Sequence, residues 1–279
     1  MGVSPSMSRP TPIWRRCLLI AERGQTEVIQ VLLDAGARVD AGSTEGETPP
    51  HVAAYHSRHA AAIKLLESGA DANAADGHGL PPLFRAIESC TPETVDLLLE
   101  HGADIQARSS MGLTPVHWAC ARERRRGFLV RPEQRHLPWD LRSWLQQGAD
   151  VNARDQHGRT PLHGAAEKGA HLAISWLAQS GADVGAKDNA GWTALWCAAL
   201  QRLMTLNSLR ALVQAGADVN STDEHDKTVL HHLAAPKHSA ARTPLIGRSR
   251  RCWTTVRTPP PPMRTAIPLS TVPQHATAP

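Results

Sequence analysis

Apart from tryptophan, the sequence has little aromatic mass: one tyrosine and two phenylalanines stand beside eight tryptophans in 279 residues. It has no run of about 18 apolar residues, which excludes a spanning helix on hydropathy. The N-terminal apolar run Cys17–Ala21 is shorter than the roughly 7–15 residues of a secretory h-region, so no signal peptide is expected. Cysteine is sparse and odd in number, at five, with no CxxC pair. That argues against a disulfide framework and a zinc site, and for a reducing compartment such as the cytoplasm. GxSxG, HExxH, P-loop and GxGxxG patterns are absent, so neither a catalytic centre nor a cofactor is expected. Acidic residues are missing from Pro236–Pro279, which holds seven basic ones. The other 235 residues carry 23 of the 30 basic residues and all 26 acidic ones. The pI of 9.0 therefore belongs to the tail, read here as a solvated segment.

What is present is a repeat. A phrase of the form GxTPLHxAA occurs at 46–54, 112–120 and, in its fullest copy, 158–166, with weaker copies at 79–87, 191–199 and 226–234. Its threonine-type position falls at Thr48, Pro81, Thr114, Thr160, Thr193 and Thr228, with gaps of 33, 33, 46, 33 and 35. A second phrase, GADxNA, places its glycine at Gly36, Gly69, Gly102, Gly148, Gly181 and Gly216, with the same gaps. Thr160 suits a helix N-cap and Pro161 the first helical position. Val95, Leu98 and Leu99 form a helical stripe that Gly102 ends. One such pair of helices cannot bury its own stripe, so stacking must supply the core.

The phrase and the period resemble the ankyrin-repeat family, over roughly Arg15 to His238. The resemblance implies an all-α solenoid of stacked helix-turn-helix units with short β-turn tips. The expected organisation is residues 1–14 as a disordered lead, 15–238 as six full repeats and part of a seventh, and 239–279 as a disordered basic, proline-rich tail. The first repeat lacks the TPLH phrase and reads as a cap. The seventh keeps only a first-helix phrase, Thr228–Ala234, and helical periodicity ends after Pro236. In the family, the TPLH histidine braces the turn by hydrogen bonding, which assigns His51, His117, His163 and His231 a structural role rather than a metal.

The fourth repeat carries 13 extra residues between its helices, placed near 123–136, a basic insertion containing Arg124, Arg125, Arg126, Arg131 and Arg135. It can be read as a solvated loop, an acidic-partner or nucleic-acid site, or a nuclear-import patch. No aromatic ladder accompanies it, which counts against nucleic acid. Gly2 matches a loose N-myristoylation pattern, but one acyl chain anchors weakly and membrane association is not the favoured reading. Pro259–Arg264 fits PxxPxR, a ligand pattern for SH3-type domains.

The resemblance also implies a function: a non-catalytic protein-interaction module whose partner lies on the concave face. Counting from each threonine-type position gives the contact candidates His78, Leu80, Met111, Leu113, Arg122, His157, Arg159, Lys168, Trp192 and Gln201. Leu80, Met111, Leu113 and Trp192 are expected to form an exposed apolar strip beside Arg159. Two other readings stay open: a membrane- or nucleic-acid-associated regulator using the arginines, and a targeting adaptor of a ubiquitin ligase or other complex. The sequence shows no suppressor-of-cytokine-signalling or F-box pattern.

Overall fold

The computed structural model describes residues 18, 20–122, 141–200, 205–223 and 226–234. The chain divides into two bodies, Met1–Ala235 and Pro236–Pro279, and every described residue lies in the first. Each TPLH phrase becomes a first helix. Thr48, Thr160 and Thr193 are extended, and the helix starts at the next residue, a proline at Pro49 and Pro161. Proline costs nothing there, because the first-turn N–H has no helical partner.

The helices follow in pairs. The first repeat contributes a short helical turn at 20–23 and α1 (Thr26–Asp34). The second contributes α2 (Pro49–Tyr55) and α3 (His59–Glu67), the third α4 (Pro82–Ser89) and α5 (Pro92–Glu100). The fourth holds α6 (Pro115–Arg122) and α7 (Leu141–Gln146), the fifth α8 (Pro161–Lys168) and α9 (His171–Gln179), and the sixth α10 (Ala194–Ala199) and α11 (Leu206–Gln214). The seventh adds only α12 (Val229–Ala234) among the described residues. No strand occurs among them; Thr222 and Thr228 form one isolated bridge.

First helices stack on first helices, as α2 on α4 and α6 on α8, and second on second, as α9 on α11. The core lies between the two layers and between repeats, around Phe84, Leu98, Trp144, Leu162, Ile174 and Leu177. Two turns set the path. The first helix of the third and fifth repeats ends in a left-handed residue, Cys90 at φ 56 and Gly169 at φ 70. The second helix ends before the glycine of GAD: Gly102 adopts φ 83, and Ala103 N–H returns to the Leu98 carbonyl at 2.9 Å.

Several of the expected features fall outside the described residues: Gly2, the arginines 124, 125, 126, 131 and 135, Gln201, the Pro259–Arg264 motif, and the segments 1–14 and 239–279. Arg122 ends α6, and its side chain is likewise outside the described set. No helix among the described residues is long and apolar enough to cross a membrane.

Candidate functional site

The inner face is built from the turn before each first helix and from one side of that helix. An acidic or hydroxyl residue organises each turn. Asp76 Oδ1 accepts from His78 N–H (2.8 Å) and Leu80 N–H (2.9 Å). Asp155 Oδ1 does the same for His157 and Arg159, and Asp188 Oδ1 for Ala190 and Trp192. Ser109 Oγ takes this role in the fourth repeat. A short side chain that bonds its own backbone two residues on is the chemistry of an Asx turn.

The TPLH histidine ties three of the first helices, at His51, His117 and His163, to the next repeat. His51 Nδ1 accepts from Thr48 N–H at 3.1 Å, so the ring proton sits on Nε2, which donates to the Leu80 carbonyl at 2.8 Å. His117 reaches the Arg159 carbonyl (3.0 Å) and His163 the Trp192 carbonyl (2.9 Å) in the same way. Burial disfavours the charged ring at all three, holding them below the usual histidine range, His117 down to about 4. Backbone bonds run along the turn tips as well: Gly77 N–H to the Glu45 carbonyl (2.7 Å), Gln156 N–H to Met111 (3.1 Å), and Asn189 N–H to His157 (2.9 Å). Among the described residues, the joint between the third and fourth repeats has neither tie. Phe84 stands where the histidine would be, and its ring meets Trp118 edge-on at 5.5 Å. That joint keeps its outer link, Gln106 Nε2 to the Gly148 carbonyl at 2.8 Å.

These ties correct the expected apolar strip. Leu80 and Leu113 are buried, because the backbone at that position is pinned by the turn residue, in Leu80 also by the histidine, and the side chain is carried inward. Arg159 is buried too, paired with Asp155 (3.1 Å) and Glu167 (3.4 Å). The candidates that reach solvent are His78, which is exposed, and Met111, His157, Lys168 and Trp192, which are half-buried. Lys168 lies 3.3 Å from Glu167. Trp118 and Trp196, expected to be half-buried, are fully within the stack.

Sequence reasoning also missed a buried charge cluster. Arg85, on α4, reaches Glu47 (3.0 Å), Asp76 (2.9 Å) and Glu88 (3.2 Å), drawing carboxylates from two repeats. Burial, with Asp76, Glu45 and Glu88 nearby, raises the Glu47 carboxyl against the pull of Arg85. The available signal was an arginine at the x of TPLHxAA followed by Glu88 three residues on. Among the described residues, no group of histidine, cysteine, aspartate or glutamate is placed to hold a metal ion.

Two family models for ankyrin repeats match the chain, one over residues 17–76 and 138–223 and one over 83–129. The crystal structure of the human ASB11 ankyrin repeat domain aligns with a TM-score of 0.65 at 26% identity, covering 82% of this chain and 94% of that one. No curated protein matches at a significant level.

Proposed function

From the premise that this chain is a member of the ankyrin-repeat family, whose members generally mediate protein–protein interaction, we propose that it is a non-catalytic module that holds a protein partner on its concave face. One observation carries the reading. Trp192 sits on a turn tip, half-buried, with its N–H held by Asp188 and its carbonyl by His163. A tryptophan presented on a fixed backbone loses little freedom on binding, which is what an interface anchor needs. His78, Met111 and His157 stand three residues before the threonine-type position of the neighbouring turns, where the sixth repeat has Ala190. The odd cysteine count supports a reducing compartment, the cytoplasm or the nucleus.

The test is an affinity pull-down from host lysate, with wild type beside Trp192→Ala and a deletion of residues 124–135. The expected result is a protein captured by wild type and by the deletion, and at least tenfold depleted with Trp192→Ala. Capture that survives Trp192→Ala and disappears with the deletion, most strongly at high salt, assigns binding to the arginines instead.

A further inference from the structure

The repeat gives each position several copies, so a side chain can be read against its equivalents. Six residues before the threonine-type position, the second, third and seventh repeats have Gly42, Ala75 and Thr222, and the three repeats between them have Arg108, Arg154 and Lys187. All three cations are exposed, and among the described residues none of them forms an ion pair. Two of them are held in one orientation. Arg108 Nη1 donates to the Gly112 carbonyl of its own turn (3.4 Å) and to the Arg154 carbonyl of the next repeat (2.9 Å). Arg154 Nη1 does the same, to Gly158 (3.3 Å) and Lys187 (3.0 Å). Nη1 spends both of its hydrogens on backbone, which leaves the other edge of each fork, Nε and Nη2, for a ligand. Two parallel donors on a fixed edge are the pattern that takes a carboxylate bidentately. Lys187 Nζ has no bond among the described residues and continues the row.

We propose that the turns of repeats four to six form a docking ridge for an acidic α-helix of a partner protein, with carboxylates seven residues apart. The spacing specifies the occupant. Arg108 and Arg154 make the same bonds one repeat apart, so their free edges are separated by one step of the stack, about 8–10 Å for packed helices. Seven residues of helix rise about 10.5 Å and return to within about 20° of the same face. An extended strand rises about 10 Å in three residues, which turns successive carboxylates to opposite faces. A nucleic-acid strand carries a charge about every 3.4 Å, roughly three times as dense as the ridge. The side chains two residues on, Ser110, Gln156 and Asn189, also give bases nothing to stack on. Because the two forks are already fixed to backbone, they lose little freedom when a carboxylate arrives. The ridge precedes each turn tip and does not include Trp192, so it stands or falls apart from the concave-face reading.

The probe is a helical peptide of 21 alanines and glutamines with glutamate at its positions 4, 11 and 18, long enough to be helical alone. It is titrated at low salt into the full chain labelled with nitrogen-15, and amide shifts report both site and affinity. Saturable shifts are expected at 108–112, 154–158 and 187–191. The dissociation constant should rise at least tenfold with Arg108→Gln/Arg154→Gln and at least threefold with Lys187→Gln, and stay unchanged with Trp192→Ala. The arginines also bond the turns, whereas the Lys187 ammonium bonds nothing among the described residues, so Lys187→Gln removes charge and leaves the fold as it is. An isomeric peptide with glutamate at 4, 8 and 12 should bind at least fivefold more weakly. No shifts with wild type, shifts centred elsewhere, equal binding by the variants, or equal binding of the isomer overturns the proposal. A twelve-residue oligothymidylate that binds the same residues more tightly than the peptide overturns it in favour of a nucleic-acid strand.

Discussion

A histidine whose Nδ1 accepts and whose Nε2 donates inside a buried turn has no room for a second proton. Protonating His117 removes the lone pair that Thr114 N–H uses, at 3.2 Å, inside a fully buried turn. Its pKa of about 4 lies below the unfolded value near 6.5, so both states are neutral above pH 6.5 and stability is unaffected there. As the pH falls, the unfolded chain takes up a proton that the folded chain refuses, and stability declines until about pH 4. For His117 alone, the loss is about 2 kcal/mol at pH 5; His51 and His163 act in the same direction. Urea unfolding at pH 7.5 and pH 5 measures this, and His117→Gln should reduce the difference by about 2 kcal/mol, leaving the share of His51 and His163. A second residue-scale prediction concerns Cys90, which holds φ 56 at the end of α4 without being glycine. Cys90→Gly should stabilise the chain by about 0.5–1 kcal/mol, because a Cβ in the left-handed region costs more than the extra freedom of glycine. A midpoint shift in urea checks it.

Single helices show what the sequence could and could not tell. The starts of first helices and the ends of second helices were legible, since Thr-Pro stands at three of the six threonine-type positions and a glycine follows all six second helices, and local chemistry alone fixes a cap. The direction of the side chain just before the threonine was not. That position holds Glu47, Leu80, Leu113, Arg159, Trp192 and Lys227, a set that reads as solvent-facing. Glu47 and Trp192 are half-buried there and Lys227 is exposed, while Leu80, Leu113 and Arg159 are buried. The backbone of the buried three is held by the residue four before and, for Leu80 and Arg159, by a histidine of the preceding repeat that no single repeat displays. The Arg85 cluster was hidden for the same reason, because Glu47 is 38 residues away in sequence. Removing Arg85 leaves three carboxylates close together. Arg85→Met is expected to destabilise by about 3–5 kcal/mol, the cost of orphaning buried charge, and Arg85→Lys to recover part of it, since lysine lacks the fork that spans several carboxylates. Chemical unfolding of both variants checks the order.

Across the molecule, stacking turns local ties into shape. Three of the joints along the middle of the array, between repeats two and three, four and five, and five and six, are fastened on the inner edge by a histidine and by a backbone bond between turn tips. The joint between repeats three and four relies there on the contact of Phe84 with Trp118, and apolar surfaces slide where hydrogen bonds do not. Its outer edge stays pinned by Gln106. Spin labels at Glu67 and Gln146, on either side of this joint, should give a broad distance distribution in a background without other reactive cysteines. Phe84→His, which restores a donor toward the Leu113 carbonyl, should narrow it.

Mechanically, the array is then two stiff leaves on one pivot, with Gln106 as the pin. Its bending modulus is uneven, and an imposed load would change the radius of curvature in one place, as a jaw opens, while each leaf keeps its own arc.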